Sequence, residues 1–194
     1  MPPHARRTRV FLSAFAFVAL PFAFTFYGQT YNTAFVSTNG FLNFLQLNTH
    51  LGGPPIPNPD PPNAAIYAFW DDLYVNGDST VNTELLGSAP NRQFVIEWRN
   101  VHFCCISSAT LDVEVVLYEN GHILMQYRNI DPTGREQGNS AAVGIENESG
   151  TVGLQYSYDE PVISNELAVL YGLPPSGFVQ GYVTDANDGV PVAA

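Results

Sequence analysis

The residues with the strongest claim to chemistry are the carboxylates of Trp70-Asp71-Asp72 and of Asp78, a few positions further on. Adjacent carboxylates at a strand end supply hard oxygen donors, and together with Asp78 they form a candidate Ca²⁺ site. The alternative is structural: aspartates that close a strand cap the amides of the following turn. Trp70 and Tyr74 flank the same carboxylates and offer flat rings to a sugar or a protein partner. They belong to a wider aromatic set of Tyr67, Trp98, Tyr118, Tyr127, Tyr156 and Tyr158. Those rings alternate in register with aliphatic residues, so core and cross-strand packing competes with a binding platform.

Recognisable catalytic patterns are missing. The four histidines, His4, His50, His102 and His122, are scattered. There is no Gly-x-Ser-x-Gly elbow, His-Glu-x-x-His pair, phosphate-cradling glycine loop or Cys-x-x-Cys. The two cysteines are adjacent, Cys104-Cys105. Neighbouring strand residues point to opposite faces, so one thiol is expected inside and one outside, both unpaired. A vicinal disulfide and an exposed thiol that links two chains are the alternatives. Asp185-Ala186-Asn187-Asp188-Gly189 is one residue short of a calcium loop and lacks the closing Glu, so it reads as a hairpin turn. Asn147-Glu148-Ser149 fits the N-glycosylation sequon. The chain is therefore expected to have no catalytic group and no obligatory cofactor, with Ca²⁺ the one candidate ion.

Composition narrows the classes of partner. The chain has 194 residues, 45% of them apolar, with 13 Phe and 10 Tyr; this is enough to bury a sandwich-sized core and is incompatible with disorder. It contains no lysine, and Arg6, Arg7 and Arg9 hold three of its seven positive charges at the N-terminus. Beyond residue 9, four arginines face 18 acidic residues. Such a surface repels phosphate backbones and argues against nucleic acid as a partner. It suits a secreted protein, a cation-rich medium or a basic partner. The basic prefix and the apolar residues 10–16 have the form of a secretory signal with a cleavage site at Ala14-Phe15-Ala16. The same apolar run also suits a first strand. Pro21 and the lack of an uninterrupted apolar span near ~20 residues argue against a membrane-spanning helix. The expected location is secreted or cell-surface.

Short strands must position these groups. Leu111, Val113, Val115 and Leu117 share one face, with Asp112 and Glu114 on the other, and Ile123, Met125 and Tyr127 alternate in the same way. Asn120-Gly121 between them predicts a two-residue type I′ hairpin turn. Phe94, Ile96 and Trp98 repeat the pattern one strand earlier. Strands are predicted near 21–27, 33–38, 40–46, 65–71, 80–87, 92–101, 109–119, 121–128, 140–146, 151–157, 167–172 and 177–184. Residues 52–63 carry six prolines and are expected to cross the surface as an extended polyproline II loop. Helical periodicity is nearly absent, so the predicted fold is an all-β antiparallel sandwich with a truncated second β-domain hairpin at the C-terminus. The expected organisation is a signal-like or first-strand segment over 1–19, a sandwich over 20–172, a linker at 173–177 and the partial hairpin over 178–194.

Phe22-Ala23-Phe24-Thr25-Phe26-Tyr27-Gly28, followed by Val36-Ser37-Thr38-Asn39-Gly40-Phe41-Leu42-Asn43-Phe44, resembles the opening of nidogen-type (NIDO-like) extracellular domains. Residues 68–72, 94–101, 113–127 and 142–147 resemble the later blocks of that family in the same order. The resemblance spans about residues 20–172, and the low cysteine content and proline-rich insert are closer to its bacterial secreted versions. It implies an extracellular module associated with cell–matrix adhesion and carries over no catalytic residue. Residues 177–193 resemble the first hairpin of a carboxypeptidase regulatory-like domain, and an isolated hairpin is marginal in water. The expected function is a non-catalytic extracellular interaction or adhesion module whose partner is a protein, a glycan or copies of itself. Two alternatives stand beside it. One is a filament subunit in which residues 10–20 of one copy complete the sheet of the next. The other is a carbohydrate-binding appendage of a secreted subtilisin-like protease.

Overall fold

The computed structural model describes residues 8–10, 15–104 and 106–172. The predicted linker, the C-terminal hairpin, Cys105 and most of the signal-like segment lie outside the described residues. The strands in chain order are β1 (Thr8–Val10), β2 (Phe15–Phe26), β3 (Gln29–Ser37), β4 (Phe41–Asn43), β5 (Ala65–Trp70), β6 (Leu73–Tyr74) and β7 (Thr80–Leu86). They continue with β8 (Gln93–Phe103), β9 (Ile106–Tyr118), β10 (Ile123–Arg128), β11 (Ala142–Glu146), β12 (Gly153–Tyr158) and β13 (Ala168–Tyr171). A 3₁₀ turn covers Arg135–Gln137. No helix among the described residues is long and apolar enough to cross a membrane.

The fold is the expected all-β antiparallel sandwich. The larger sheet runs β1-β7-β8-β9-β10-β13 with β6 paired to β8, and the smaller runs β12-β11-β5-β4-β3-β2. Alternation sorts the side chains as period two requires. Leu111, Val113, Val115 and Leu117 of β9 join Ile66, Ala68 and Phe69 of β5 in one core between the sheets. Two aromatic residues also tie the sheets with hydrogen bonds. The Trp98 indole donates to the Ser37 carbonyl at 2.7 Å and the Tyr127 hydroxyl to the Ala68 carbonyl at 2.7 Å.

Two local expectations change. β2 begins at Phe15 and not near residue 21, because Ala16, Val18 and Leu20 also bury against the core and the first two pair with Val36 and Ala34 of β3. The loop at Asn120-Gly121 is not a two-residue type I′ turn. The Tyr118 amide donates to His122 O at 2.9 Å and the Gly121 amide to Tyr118 O at 2.9 Å, which makes a three-residue loop. Only Gly121 (φ 90°) takes positive φ there, the pattern of a type I turn closed by a left-handed residue. The two-residue primed geometry occurs instead at Tyr27-Gly28, where both residues have positive φ and Phe26 pairs with Gln29.

Candidate functional site

The residues singled out by the sequence separate into different surroundings. Asp71 is buried, and its carboxylate accepts two bonds from Arg135 Nη2 (2.9 and 3.0 Å) and one from Ser140 Oγ (2.7 Å). Asp72 lies next door, two residues past the end of β5, with its amide donating to Asp71 Oδ1 at 2.8 Å and its carbonyl accepting from the Cys104 amide at 2.8 Å. Asp78 is exposed and faces Asn100 and His102 instead. Among the described residues, no group of three or more His, Cys, Asp or Glu side chains could hold a metal ion.

The aromatic set divides in the same way. Tyr67, Trp70, Trp98 and Tyr127 are buried, whereas Tyr74 and Tyr156 are exposed. Trp70 lies on the outer face of the smaller sheet, stacked on Tyr67 at 4.7 Å and packed with Phe41, Ile56 and Ala142. The proline-rich loop covers it. Gly53 sits so close that a Cβ would fall 1.9 Å from the Trp70 ring, and the Trp70 indole donates to His50 O at 3.1 Å. Trp70 therefore anchors a loop and presents no ring to a ligand.

The same loop is latched by Glu146, which is 1% exposed. Its Oε2 accepts the Asn58 amide at 3.0 Å, and the Tyr67 hydroxyl lies between Glu146 Oε1 and the Pro62 carbonyl. Burial raises the Glu146 carboxyl above its usual 4.5, so the folded chain holds this proton more tightly than the unfolded chain. The resulting stabilisation is fully present below about pH 4.5 and is lost as pH rises through the raised value. Glu146→Gln keeps the hydrogen bonds and removes the ionisation. Relative to this variant, the native chain is expected to lose stability from pH 4.5 upward and then level off. Urea midpoints of the two at matched pH measure the difference, and a pH-independent gap would contradict it.

Tyr74 leads to a different surface. Its ring stacks on His102 at 5.4 Å, and His102 Nε2 lies 3.3 Å from Asp78 Oδ1. Asn100 Nδ2 donates to Asp78 Oδ2 at 2.7 Å. The hydrogen bond from His102, then that from its own backbone amide and that from Asn100, hold the Asp78 carboxyl below the usual carboxylate range. Asp78 is one wall of a groove of about 370 Å³ on the outer face of the larger sheet, completed by Thr80, Arg99, Asn100, Asp112 and Asn129.

A β-bulge builds this groove. The β8–β9 register shifts between Trp98 and Val101, and Asn100 takes a left-handed conformation (φ 53°) at the shift. Asp112 pins the bulge from β9, accepting the Asn100 amide at 2.6 Å and Arg128 Nη2 at 2.9 Å. Asn129, also left-handed (φ 61°), closes the far side and donates to Thr110 O at 3.3 Å. Bulges re-aim side chains and concentrate at functional sites, and left-handed non-glycine residues do the same. The sequence carries one trace of this: Trp98 and Val101 both point inward three positions apart, which breaks period two. Thr80, Arg99 and Asn129 have no such signal, because strand pairing alone brings them together.

The lining offers the exposed carboxylate of Asp78, one guanidinium, two amides and a hydroxyl, beside an exposed ring. That set can make directional hydrogen bonds to a polar ligand. A family model described as NIDO related matches residues 13–175, and that match does not reach the predicted hairpin at 178–194. No curated protein and no solved structure matches the chain.

Proposed function

Because the chain belongs to the NIDO-related family, we propose that it is a non-catalytic extracellular adhesion module that holds a glycan in the groove on its larger sheet. The observation that carries this reading is the convergence of Asp78, Asn100, Arg99 and Asn129 beside the Tyr74–His102 stack. Ionised carboxylates, amides and a guanidinium are strong partners for sugar hydroxyls. An exposed tyrosine supplies a flat apolar surface for the ring face of a sugar. The acidic surface favours neutral or basic glycans over sulfated ones. Filament assembly by a donated N-terminal strand has less support, because residues 15–19 already pair with β3 of their own chain.

Tyr74→Ala and Asp78→Ala are each expected to weaken binding of neutral oligosaccharides at least about tenfold, equivalent to about 1.4 kcal/mol. Both side chains are exposed, so urea unfolding midpoints should stay close to that of the parent. Calorimetric titration of parent and variants with the same oligosaccharide reads the first effect and urea unfolding the second. Unchanged affinity in both variants would remove the groove from the binding site.

A further inference from the structure

Asn-Gly occurs three times in the chain, at Asn39-Gly40, Asn76-Gly77 and Asn120-Gly121. A glycine after asparagine leaves its backbone nitrogen unshielded by a Cβ, so that nitrogen can reach the asparagine carboxamide. The three pairs are equivalent as dipeptides, and the fold makes them different. The Asn39 side chain is buried, donates to Thr49 O at 3.3 Å and His50 O at 3.0 Å, and accepts the Leu73 amide at 3.1 Å. Asn120 is exposed, but its carboxamide oxygen holds the His122 amide at 3.2 Å. The Gly121 amide is committed as well, to Tyr118 O at 2.9 Å.

Asn76-Gly77 escapes these restraints. Both residues are exposed in the loop between β6 and β7. Among the described residues, the Asn76 carboxamide bonds only to its own neighbour: the Gly77 amide donates to Asn76 Oδ1 at 2.7 Å. A Cβ on Gly77 would meet nothing within 4 Å, so no neighbour stands over the pair. The loop is also tied to the groove. The Ser79 amide donates to Asn76 O at 2.8 Å, the Asn76 amide to Ser79 Oγ at 3.1 Å, and Ser79 Oγ to Asn100 O at 2.7 Å. Asp78 rides on this turn and meets Asn100 and His102 from it.

We propose that Asn76 is a self-modifying position, which deamidates through Gly77 to aspartate and isoaspartate and so remakes the turn that carries Asp78. The Gly77 nitrogen gives its proton to hydroxide and attacks Cγ of Asn76. The N–Cγ bond forms, the Cγ–Nδ2 bond breaks, and ammonia leaves, which closes a five-membered succinimide. Water then opens the ring. Cleavage of the N–Cγ bond gives aspartate, and cleavage between that nitrogen and the Asn76 main-chain carbonyl carbon gives isoaspartate. Either product puts a new carboxylate two residues from Asp78. Isoaspartate also routes the backbone through the β-carbon, which turns the carbonyl that anchors Ser79 into a side-chain carboxylate. The inference needs no ligand and stands apart from the glycan reading.

The test incubates the full chain in mildly alkaline buffer, folded and in guanidinium chloride. Mass spectrometry of chymotryptic peptides reads the amide-to-acid conversion at each Asn-Gly pair. In the folded chain the Asn76 peptide is expected to convert about tenfold faster than the other two, which the native hydrogen bonds protect. In denaturant the three rates should converge. An isoaspartyl methyltransferase with a labelled methyl donor should label the converted Asn76 peptide. Gly77→Ala adds a Cβ in open space, so it should keep the urea midpoint of the parent and slow the conversion about tenfold. In the converted protein the His102 ring signals should shift as Asp78 moves away. Equal rates at the three pairs in the folded chain, or conversion in Gly77→Ala as fast as in the parent, would overturn the self-modification. Unchanged His102 signals would overturn its link to Asp78.

Discussion

Trp98→Ala is expected to cost about 3–5 kcal/mol of stability. Trp98 is fully buried, and it is the largest side chain between the sheets. Truncation removes the ring, leaves a void that a two-sheet core cannot collapse to fill, and strands the Ser37 carbonyl that the indole bonds at 2.7 Å. A domain of this size has roughly 5–15 kcal/mol in hand, so the loss is a large fraction of the total. Trp98→Phe keeps most of the volume and forfeits the inter-sheet bond, for a smaller loss of about 1–3 kcal/mol. Urea unfolding followed by far-ultraviolet circular dichroism ranks the three proteins. An alanine variant within 1 kcal/mol of the parent would mean that the two sheets are not joined through this residue.

The second large effect concerns Asp71. Arg135→Met is expected to destabilise by about 3 kcal/mol, the low end for breaking a buried pair, since the Arg135 side chain keeps 30% exposure. The loss comes from the aspartate left behind. Asp71 keeps only its bonds from Ser140 and from the Asp72 amide, in a site where Arg135 otherwise also stacks over Phe103 at 5.2 Å. Converting both partners, as Asp71→Leu with Arg135→Met, should recover most of the stability because no uncompensated charge remains. Thermal unfolding of the single and double variants closes the cycle. A double variant as unstable as the single one would show that packing, and not charge, holds this corner.

These two residues also show where sequence reasoning reaches and where it stops. The core position of Trp98 follows from its place in Phe94, Ile96 and Trp98, because period two is a local property of the chain. Asp71 reads as a metal ligand or a turn cap because its partner, Arg135, lies 64 positions away and no local pattern links them. Trp70 fails for a related reason. Strict alternation with Ile66 and Ala68 would put it on the core face; a register irregularity opposite β11 turns it outward, where the proline-rich loop, which packs Ile56 against it, covers it. The sequence singles out Tyr74 as a candidate binding ring and Asp78 as a candidate Ca²⁺ ligand, and not as neighbours on one surface. Asn100, Arg99 and Asn129 carry no such mark, since a bulge and pairing among three strands assemble them. Asn120-Gly121 marks the hairpin but not its turn type, because the dipeptide fits both a two-residue and a three-residue loop.

In the proposed function this module holds a glycan in the groove and leaves it chemically unchanged. The most direct measurement is a titration of the full chain against a panel of neutral oligosaccharides, with the recovered sugar examined by mass spectrometry. A Tyr74→Ala/Asp78→Ala double variant is run in parallel. Saturable binding of at least one member of the panel, recovery of that sugar intact, and loss of binding in the double variant are expected. Cleaved sugar, binding that persists in the double variant, or no binding across the panel would contradict it.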